Sequence, residues 1–156
     1  MYILAVDQAK HGAMAVFDYN TKELVDYKIW SFGGMPYERV ILNIEATVED
    51  YIAEKNISAV FYEDIQFRKN WKIYKRLAQL QGVLVNLAEK IGLYYGLVMA
   101  STWQSYCGMH IDKAGETKDL SKQIVQELYG IETKDDNLAD AILIGHYVVN
   151  NIEITM

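Results

Sequence analysis

Four acidic side chains in this sequence could act together on a metal ion. Asp7 and Glu63 each end a short apolar run. Asp140 lies inside a third apolar stretch, four residues after Asp136. Carboxylate oxygens are the ligands that hard divalent cations prefer in proteins. Brought together, these acids would form an oxygen-only site suited to phosphodiester hydrolysis with two metal ions.

Asp140 is the most informative of these acids because its helical neighbours are not polar. The residues three, four and seven positions after it are leucine, isoleucine and tyrosine. We therefore expect Asp140 to face a partly buried polar site rather than solvent. Asp136 and Asn137 precede it by four and three residues, so either side chain can share its helix face.

Histidine and cysteine offer no competing metal site in the sequence. His11, His110 and His146 are scattered, and only His11 lies near one of the acids, in the turn region after Asp7. Cys107 is the single cysteine, which excludes an intramolecular disulfide and fits a reducing cytosol. No Walker loop and no Gly-x-Gly-x-x-Gly motif is present.

The length and composition predict one globular domain over residues 1–156. The N-terminal apolar run has neither a basic lead nor a small-residue cleavage site, so we expect no signal peptide. No stretch approaches the roughly 18 apolar residues of a membrane span. We therefore expect a cytoplasmic protein that has no contact with membranes.

A basic stripe interrupts the otherwise acidic sequence. The net charge of −6 argues against a protein that binds nucleic acid over its whole surface. Between Asp64 and Glu89, however, there is no acidic residue, and basic side chains cluster there. Such a stripe is either a solvated helix face or a local contact for a phosphate backbone. Its members are Arg68, Lys69, Lys72, Lys75 and Arg76.

Hydrophobic periodicity predicts a mixed sheet with helices on its faces. Short links make the first three strands an antiparallel meander, whereas the later strands alternate with helices and so need parallel crossovers. Because ligands gather at the carboxyl ends of parallel strands, Asp7 and Glu63 should meet there. The predicted strands are 2–7, 13–19, 24–30, 58–63 and 96–100, and the predicted helices are 37–54, 70–92, 117–129 and 136–150.

The predicted helix 70–92 has two apolar faces, and one of them follows a heptad spacing. We expect one face to cover the sheet and the other to meet either another helix of this chain or a second subunit. We assign the heptad face to the partner. The heptad face is Ile73, Leu77, Leu80, Leu84, Leu87 and Ile91, and the second face is Trp71, Tyr74, Ala78, Val85 and Ala88.

Several segments of the chain resemble the RuvC family of Holliday-junction resolvases, whose fold is ribonuclease H-like. The opening strand that ends in Asp7 is similar to the family's first strand. Tyr62-Glu63-Asp64 and the segment Asp136–Ala141 are similar to its later acidic motifs. Leu80-Gln81-Gly82-Val83 resembles its long helix, and Thr117-Lys118 resembles its basic substrate-contacting region. The size and Thr102-Trp103 resemble phage-encoded members, with lactococcal phages among the candidates.

The chain also departs from the bacterial pattern of that family. Gln-Ala-Lys rather than Pro-Gly follows Asp7. The position three residues before Asp140 is Asn137 rather than an acid or histidine, which favours Asp136 as the fourth ligand. The aromatic residue that wedges into the junction is replaced by Gln66, and Phe67 follows it.

The resemblance implies a ribonuclease H-like fold with a mixed five-stranded sheet, and a homodimer through the 70–92 helix. It further implies an endonuclease that nicks four-way junctions, and replication forks as a further branched substrate, with two Mg²⁺ or Mn²⁺ ions per site. Two alternatives remain open: a nuclease that cleaves RNA or RNA–DNA hybrids, and a non-catalytic junction-binding module. The implied metal ligands are Asp7, Glu63, Asp136 and Asp140, and the implied DNA contacts are the basic stripe and Lys118.

Overall fold

The computed structural model describes residues 1–67, 69–109 and 114–156, with the side chains of 114–118 excepted. Five strands form one sheet in the order β3-β2-β1-β4-β5. The strands are β1 Tyr2–Asp7, β2 His11–Asp18, β3 Leu24–Ser31, β4 Ile57–Asp64 and β5 Tyr94–Met99.

The helices follow the predicted order, with one addition. The structure adds the short helix α3, which begins directly where β5 ends and which the sequence reading missed. No helix of the described residues is long and apolar enough to cross a membrane. The helices are α1 Tyr37–Lys55, α2 Trp71–Ile91, α3 Ala100–Tyr106, α4 Ala114–Tyr129 and α5 Asp136–Asn151.

The sheet is mixed, as the sequence predicts. β1 pairs antiparallel with β2, and β2 with β3, whereas β1 pairs parallel with β4, and β4 with β5. The carboxyl ends of β1, β4 and β5 therefore meet at one edge of the sheet. Because side chains alternate between the two faces of a strand, each face builds its own core.

Helices cover both faces of the sheet, in agreement with the predicted architecture. On one face, the odd-numbered residues at the centres of β1 and β4, such as Ala5 and Phe61, pack beneath α5. On the other face, even-numbered residues such as Leu4 and Tyr62 pack beneath α1 and α2. Asp7 and Glu63 continue the odd-numbered series, which places both on the face of α5.

Helix α5 lies unusually close to the sheet because of one glycine. A Cβ atom added at Gly145 would lie only 2.3 Å from the ring of Phe17 on β2, so any larger residue would displace the helix or the ring. The close approach buries the apolar side of α5 and brings its first turns against the ends of β1 and β4. It thereby sets the height of Asp140 above the sheet.

The assignment of the two faces of α2 was wrong. Leu80, Leu84 and Leu87 of the heptad face are buried in the core beneath α2, and the hydroxyl of Tyr62 donates to the carbonyl of Leu84 at 3.0 Å. The heptad spacing here reflects the packing of α2 against the sheet and not a contact with a second subunit. On the second face, Trp71 is 65% exposed.

Candidate active site

Asp7 and Glu63 lie side by side at the carboxyl edge of the sheet. The parallel pairing of β1 with β4 runs as far as Val6 and Tyr62, the residues just before the two acids. Both carboxylates are partly buried and lie on the face covered by α5. The sheet register thus brings together two acids that are 56 residues apart in the sequence.

The electrostatics of Asp7 reveal a cluster of four carboxylates. Burial, followed by the charges of Glu63, Asp140 and Asp135, raises the pKa of Asp7 well above its usual value. Burial disfavours the ionised form, and neighbouring negative charges disfavour it further. The structure therefore brings Asp140 of α5 to the strand-end acids, and it adds Asp135, which the sequence reading missed.

The side chain of Asp136 has a different partner from that of Asp135. Its carboxylate forms an ion pair with Lys122 of α4 at 3.1 Å, and it is not among the charges that raise the pKa of Asp7. Asp135 is the N-cap of α5, where its Oδ1 accepts from the backbone N–H of Leu138 at 2.8 Å. The acid beside Asp7 thus lies just before the helix. Aspartate is a common N-cap residue, and that was the sequence signal for its position.

Trp103 of α3 holds the side chain of Glu63. Its indole N–H donates to Glu63 Oε2 at 2.8 Å, and the indole itself is fully buried in the core beneath α5. An indole nitrogen can only donate, so this bond fixes the position of one carboxylate oxygen of Glu63. Through this bond, the short helix α3 positions the carboxylate of Glu63.

The histidines have other contacts. His11 Nδ1 bonds to Ser31 Oγ at 2.6 Å across the β2–β3 pair. His146 bonds to the hydroxyl of Tyr129 at 2.6 Å, and burial lowers its pKa. His110 lies outside the described residues. Among the described residues, no group of three or more His, Cys, Asp and Glu side chains forms a ready-made metal site.

The basic stripe begins at the same edge of the sheet as the acids. Lys69, Lys72 and Lys75 are exposed in the loop after β4 and the first turns of α2. Arg76 is exposed too, but its guanidinium lies over the ring of Tyr37, 5.2 Å from the ring centre. The predicted DNA contacts Arg68 and Lys118 lie outside the described residues and side chains.

Known structures share this fold. No protein-family model and no curated protein sequence matches the chain. The structure of Thermus thermophilus RuvC with a Holliday junction substrate superposes with a TM-score of 0.74 at 15% identity, covering 97% of this chain and 96% of that chain. The yeast mitochondrial Holliday junction resolvase gives 0.67 at 17% identity, covering 94% and 77%. Fowlpox virus resolvase with junction DNA gives 0.60 at 18%, covering 96% and 97%.

This chain has the fold of the RuvC-type resolvases. The predicted ribonuclease H-like architecture is therefore confirmed, and the similarity extends over nearly the whole chain. At such low identity the likeness is one of fold, so the chemistry has to be argued from the residues at the site.

Asp7→Asn should stabilise the protein in EDTA at neutral pH. The pKa of Asp7 is higher in the folded chain than its ordinary value of 3.8, so ionised Asp7 opposes folding. The stabilisation relative to wild type should disappear as the pH falls below 3.8, where Asp7 is protonated in both states. Thermal unfolding in EDTA from about pH 3 to about pH 8 measures the difference.

Asp136→Asn is the matched control, because it removes an ion pair with Lys122 instead of a repulsion. It should leave the unfolding midpoint unchanged or lower it slightly at neutral pH. A lower midpoint for Asp7→Asn under the same conditions would contradict the repulsive cluster.

Proposed function

We propose that this chain is a metal-dependent, structure-selective endonuclease that nicks Holliday junctions and other branched DNA symmetrically. The observation that carries the proposal is the position of Asp7 at the carboxyl edge of parallel strands, beside Glu63 and within reach of the charges of Asp140 and Asp135. The fold, shared with resolvases solved together with junction DNA, supports that substrate class. The single, partly buried Cys107 suits the reducing cytoplasm in which we expect the protein to act.

Asp7, Glu63, Asp140 and Asp135 would hold Mg²⁺, or Mn²⁺ in its place, with two ions per site. The donors fit because they are all carboxylates, and because cations would offset the repulsion that raises the pKa of Asp7. Bound ions of this kind supply Lewis-acid stabilisation and an activated water. The protein's own part is to hold the acids in place, Glu63 through Trp103 and Asp135 through the first turn of α5.

Catalysis should need the three acids that come from separate elements. Asp7→Asn, Glu63→Gln and Asp140→Asn should each reduce nicking of a four-way junction by more than the roughly 10- to 100-fold typical of an outer-sphere partner. Junction binding in Ca²⁺ should survive, because these groups would hold metal rather than DNA. Asp135→Asn should also be severe, although asparagine preserves the helix cap.

Asp136→Asn tests the fourth ligand that the sequence favoured. It should cost much less activity than Asp135→Asn, since Asp136 is paired with Lys122. The reverse order of severity would restore Asp136 to the metal site, and a wholly active Asp135→Asn variant would remove Asp135.

A panel of substrates separates the proposed activity from its alternatives. Purified protein with Mg²⁺ or Mn²⁺ would be tested on four-way, three-way, flap, linear-duplex and RNA–DNA hybrid substrates. Preference for the hybrid would favour the alternative nuclease. Tight junction binding without cutting in either metal would favour a non-catalytic binding module.

Symmetric nicking requires two active sites. We propose a homodimer through the face of α2 that points away from the sheet. Gly82 lies exposed near the middle of this face, and no atom beyond the adjoining helix backbone lies within 4 Å of where its Cβ would be. A glycine inside a helix costs about 0.5–1 kcal/mol relative to alanine, and a close approach of another backbone is a common reason for it. The α2 helix of a second copy would cross here.

Gly82→Arg should split this dimer without unfolding the subunit. The position is solvent-exposed within a single chain, and arginine is a better helix former than glycine. Light scattering at micromolar concentration should show a dimer for wild type and a monomer for the variant, with unchanged circular dichroism. Cutting should then fall to uncoupled single nicks.

Leu42→Arg on α1 is the control for the added charge, since Leu42 is 53% exposed. It should remain a dimer. A wild-type monomer that still cuts both strands, or a dimeric Gly82→Arg, would rule out the α2 interface.

Exposed residues in the loop after β4 and in the first turns of α2 supply the proposed DNA contacts. Lys69, Lys72 and Lys75 would contact phosphates, which contribute affinity rather than sequence preference. Phe67 is 85% exposed, and its ring lies 5.9 Å from that of Tyr74. We propose that Phe67, rather than Gln66, stacks on bases at the junction.

Replacing Lys69, Lys72 and Lys75 together with glutamine should weaken binding to every branched DNA. Loss of three phosphate contacts should lower the slope of log affinity against log salt by about 2–3. Fluorescence anisotropy at several salt concentrations gives both quantities. Arg76 is left intact, because it also stacks on Tyr37 between α1 and α2.

The control carries the same change at three exposed lysines elsewhere, Lys22, Lys28 and Lys90. It should alter the net charge equally with little effect on the slope. Equal effects of the two triple variants would make the stripe an ordinary solvated face.

A further inference from the structure

Gln8 is a buried polar residue that directly follows Asp7. Only 6% of its surface is exposed. Its side-chain amide meets the backbone of Glu63 twice: Oε1 accepts from the Glu63 N–H at 3.2 Å, and Nε2 donates to the Glu63 carbonyl. The two partners fix the orientation of the amide, because a backbone N–H requires an oxygen and a carbonyl requires an N–H.

The side chain of Gln8 continues the sheet where the backbone of β1 leaves it. The β1–β4 pairing ends at Val6 and Tyr62. The chain then turns towards β2, with which Asp7 is still paired through Ala13. A primary amide offers a donor and an acceptor, as a peptide group does, so Gln8 satisfies the next backbone groups of β4 in place of a strand residue.

We propose that Gln8 is a positioning residue that sets the separation of the Asp7 and Glu63 carboxylates. It is covalently next to one acid and holds the backbone of the other by two hydrogen bonds. Trp103 holds the side chain of the same residue through a hydrogen bond to Glu63 Oε2. Gln8 therefore fixes the backbone of Glu63, and Trp103 fixes the position of its carboxylate.

The inference deepens the proposed function and rests on it, since the spacing matters because both acids would bind metal. Metal sites tolerate errors of only about 0.5 Å in their ligands, so a strand end free to shift would weaken them. Loss of such an outer partner typically costs 10- to 100-fold in metal affinity or activity.

Gln8→Met tests the two hydrogen bonds between Gln8 and the Glu63 backbone, because methionine has a similar length but makes neither of them. Amide hydrogen exchange followed by NMR should show about 10-fold or faster exchange at Glu63, with the unfolding midpoint close to wild type. Mn²⁺ titration without DNA should show affinity reduced by about 10- to 100-fold. Single-turnover nicking should fall to a similar degree, while the junction dissociation constant in Ca²⁺ stays within about twofold.

Gln81→Met is the matched control. Gln81 Oε1 accepts from the backbone N–H of Ile65 at 3.0 Å, which is the same kind of bond two residues beyond Glu63. This variant should speed exchange at Ile65 while leaving Mn²⁺ affinity and nicking near wild type. If Gln8→Met does not fold, Gln8→Asn keeps the amide but is one methylene shorter, and the same results are expected of it.

Two results would overturn the positioning function. One is wild-type Mn²⁺ affinity and nicking in a folded Gln8→Met variant whose Glu63 amide exchanges faster. The other is a general loss of stability that lowers DNA binding and nicking alike, which would make Gln8 a structural residue. Failure of wild-type protein to cut any branched DNA would instead refute the proposed function. The exchange and Mn²⁺ measurements would still test whether Gln8 positions Glu63.

Discussion

Carboxylates held close together repel one another, and the site around Asp7 combines two acids at the ends of parallel strands with two more from the start of α5. Burial adds to the repulsion, because the surrounding core solvates a negative charge poorly. A fold without a use for this arrangement would gain stability by replacing an acid with a neutral residue. A buried acid whose pKa is raised by neighbouring acids, at the ligand-binding edge of a sheet, is typical of a functional site.

The rest of the structure keeps the repelling groups from moving apart. Gly145 lets α5 pack against Phe17, which fixes the helix that carries Asp140. Asp135 is tied to the first turn of the same helix through Leu138. These contacts lie in or next to a dry core, where hydrogen bonds hold their geometry better than at an exposed surface. The packing of the core thus keeps the mutually repelling carboxylates in position at the edge of the sheet.

The sequence predicted the elements that have a clear period and a clear end. Alternating strands, their order and the strand-end acids follow from local patterns, and the rule for parallel strands brings Asp7 to Glu63. The sequence favoured Asp136 as the fourth acid because helical spacing from Asp140 points to residues within the helix. Asp135, which the structure adds to the charges acting on Asp7, lies before the helix as its cap.

Other features depended on tertiary contacts that no local pattern specifies. The seven-residue helix α3 is too short for a periodic signal, yet its Trp103 reaches Glu63. Both faces of α2 are apolar, so their periodicity could not say which one meets the sheet. The burial of Leu80 and Leu84 decides it, and the opposite face carries an exposed glycine rather than leucines.

Acidic and basic groups meet at one edge of the sheet, and their proximity has a consequence for binding. The chain passes from Glu63 to Lys69 and Lys72 within ten residues, as it leaves β4 and enters α2. On the proposed function, the lysines would attract a phosphate backbone to this edge, whereas the carboxylates would repel the same phosphates. DNA would therefore be held beside the acids by the basic stripe. Its closest approach to them would depend on cations that reverse the local charge.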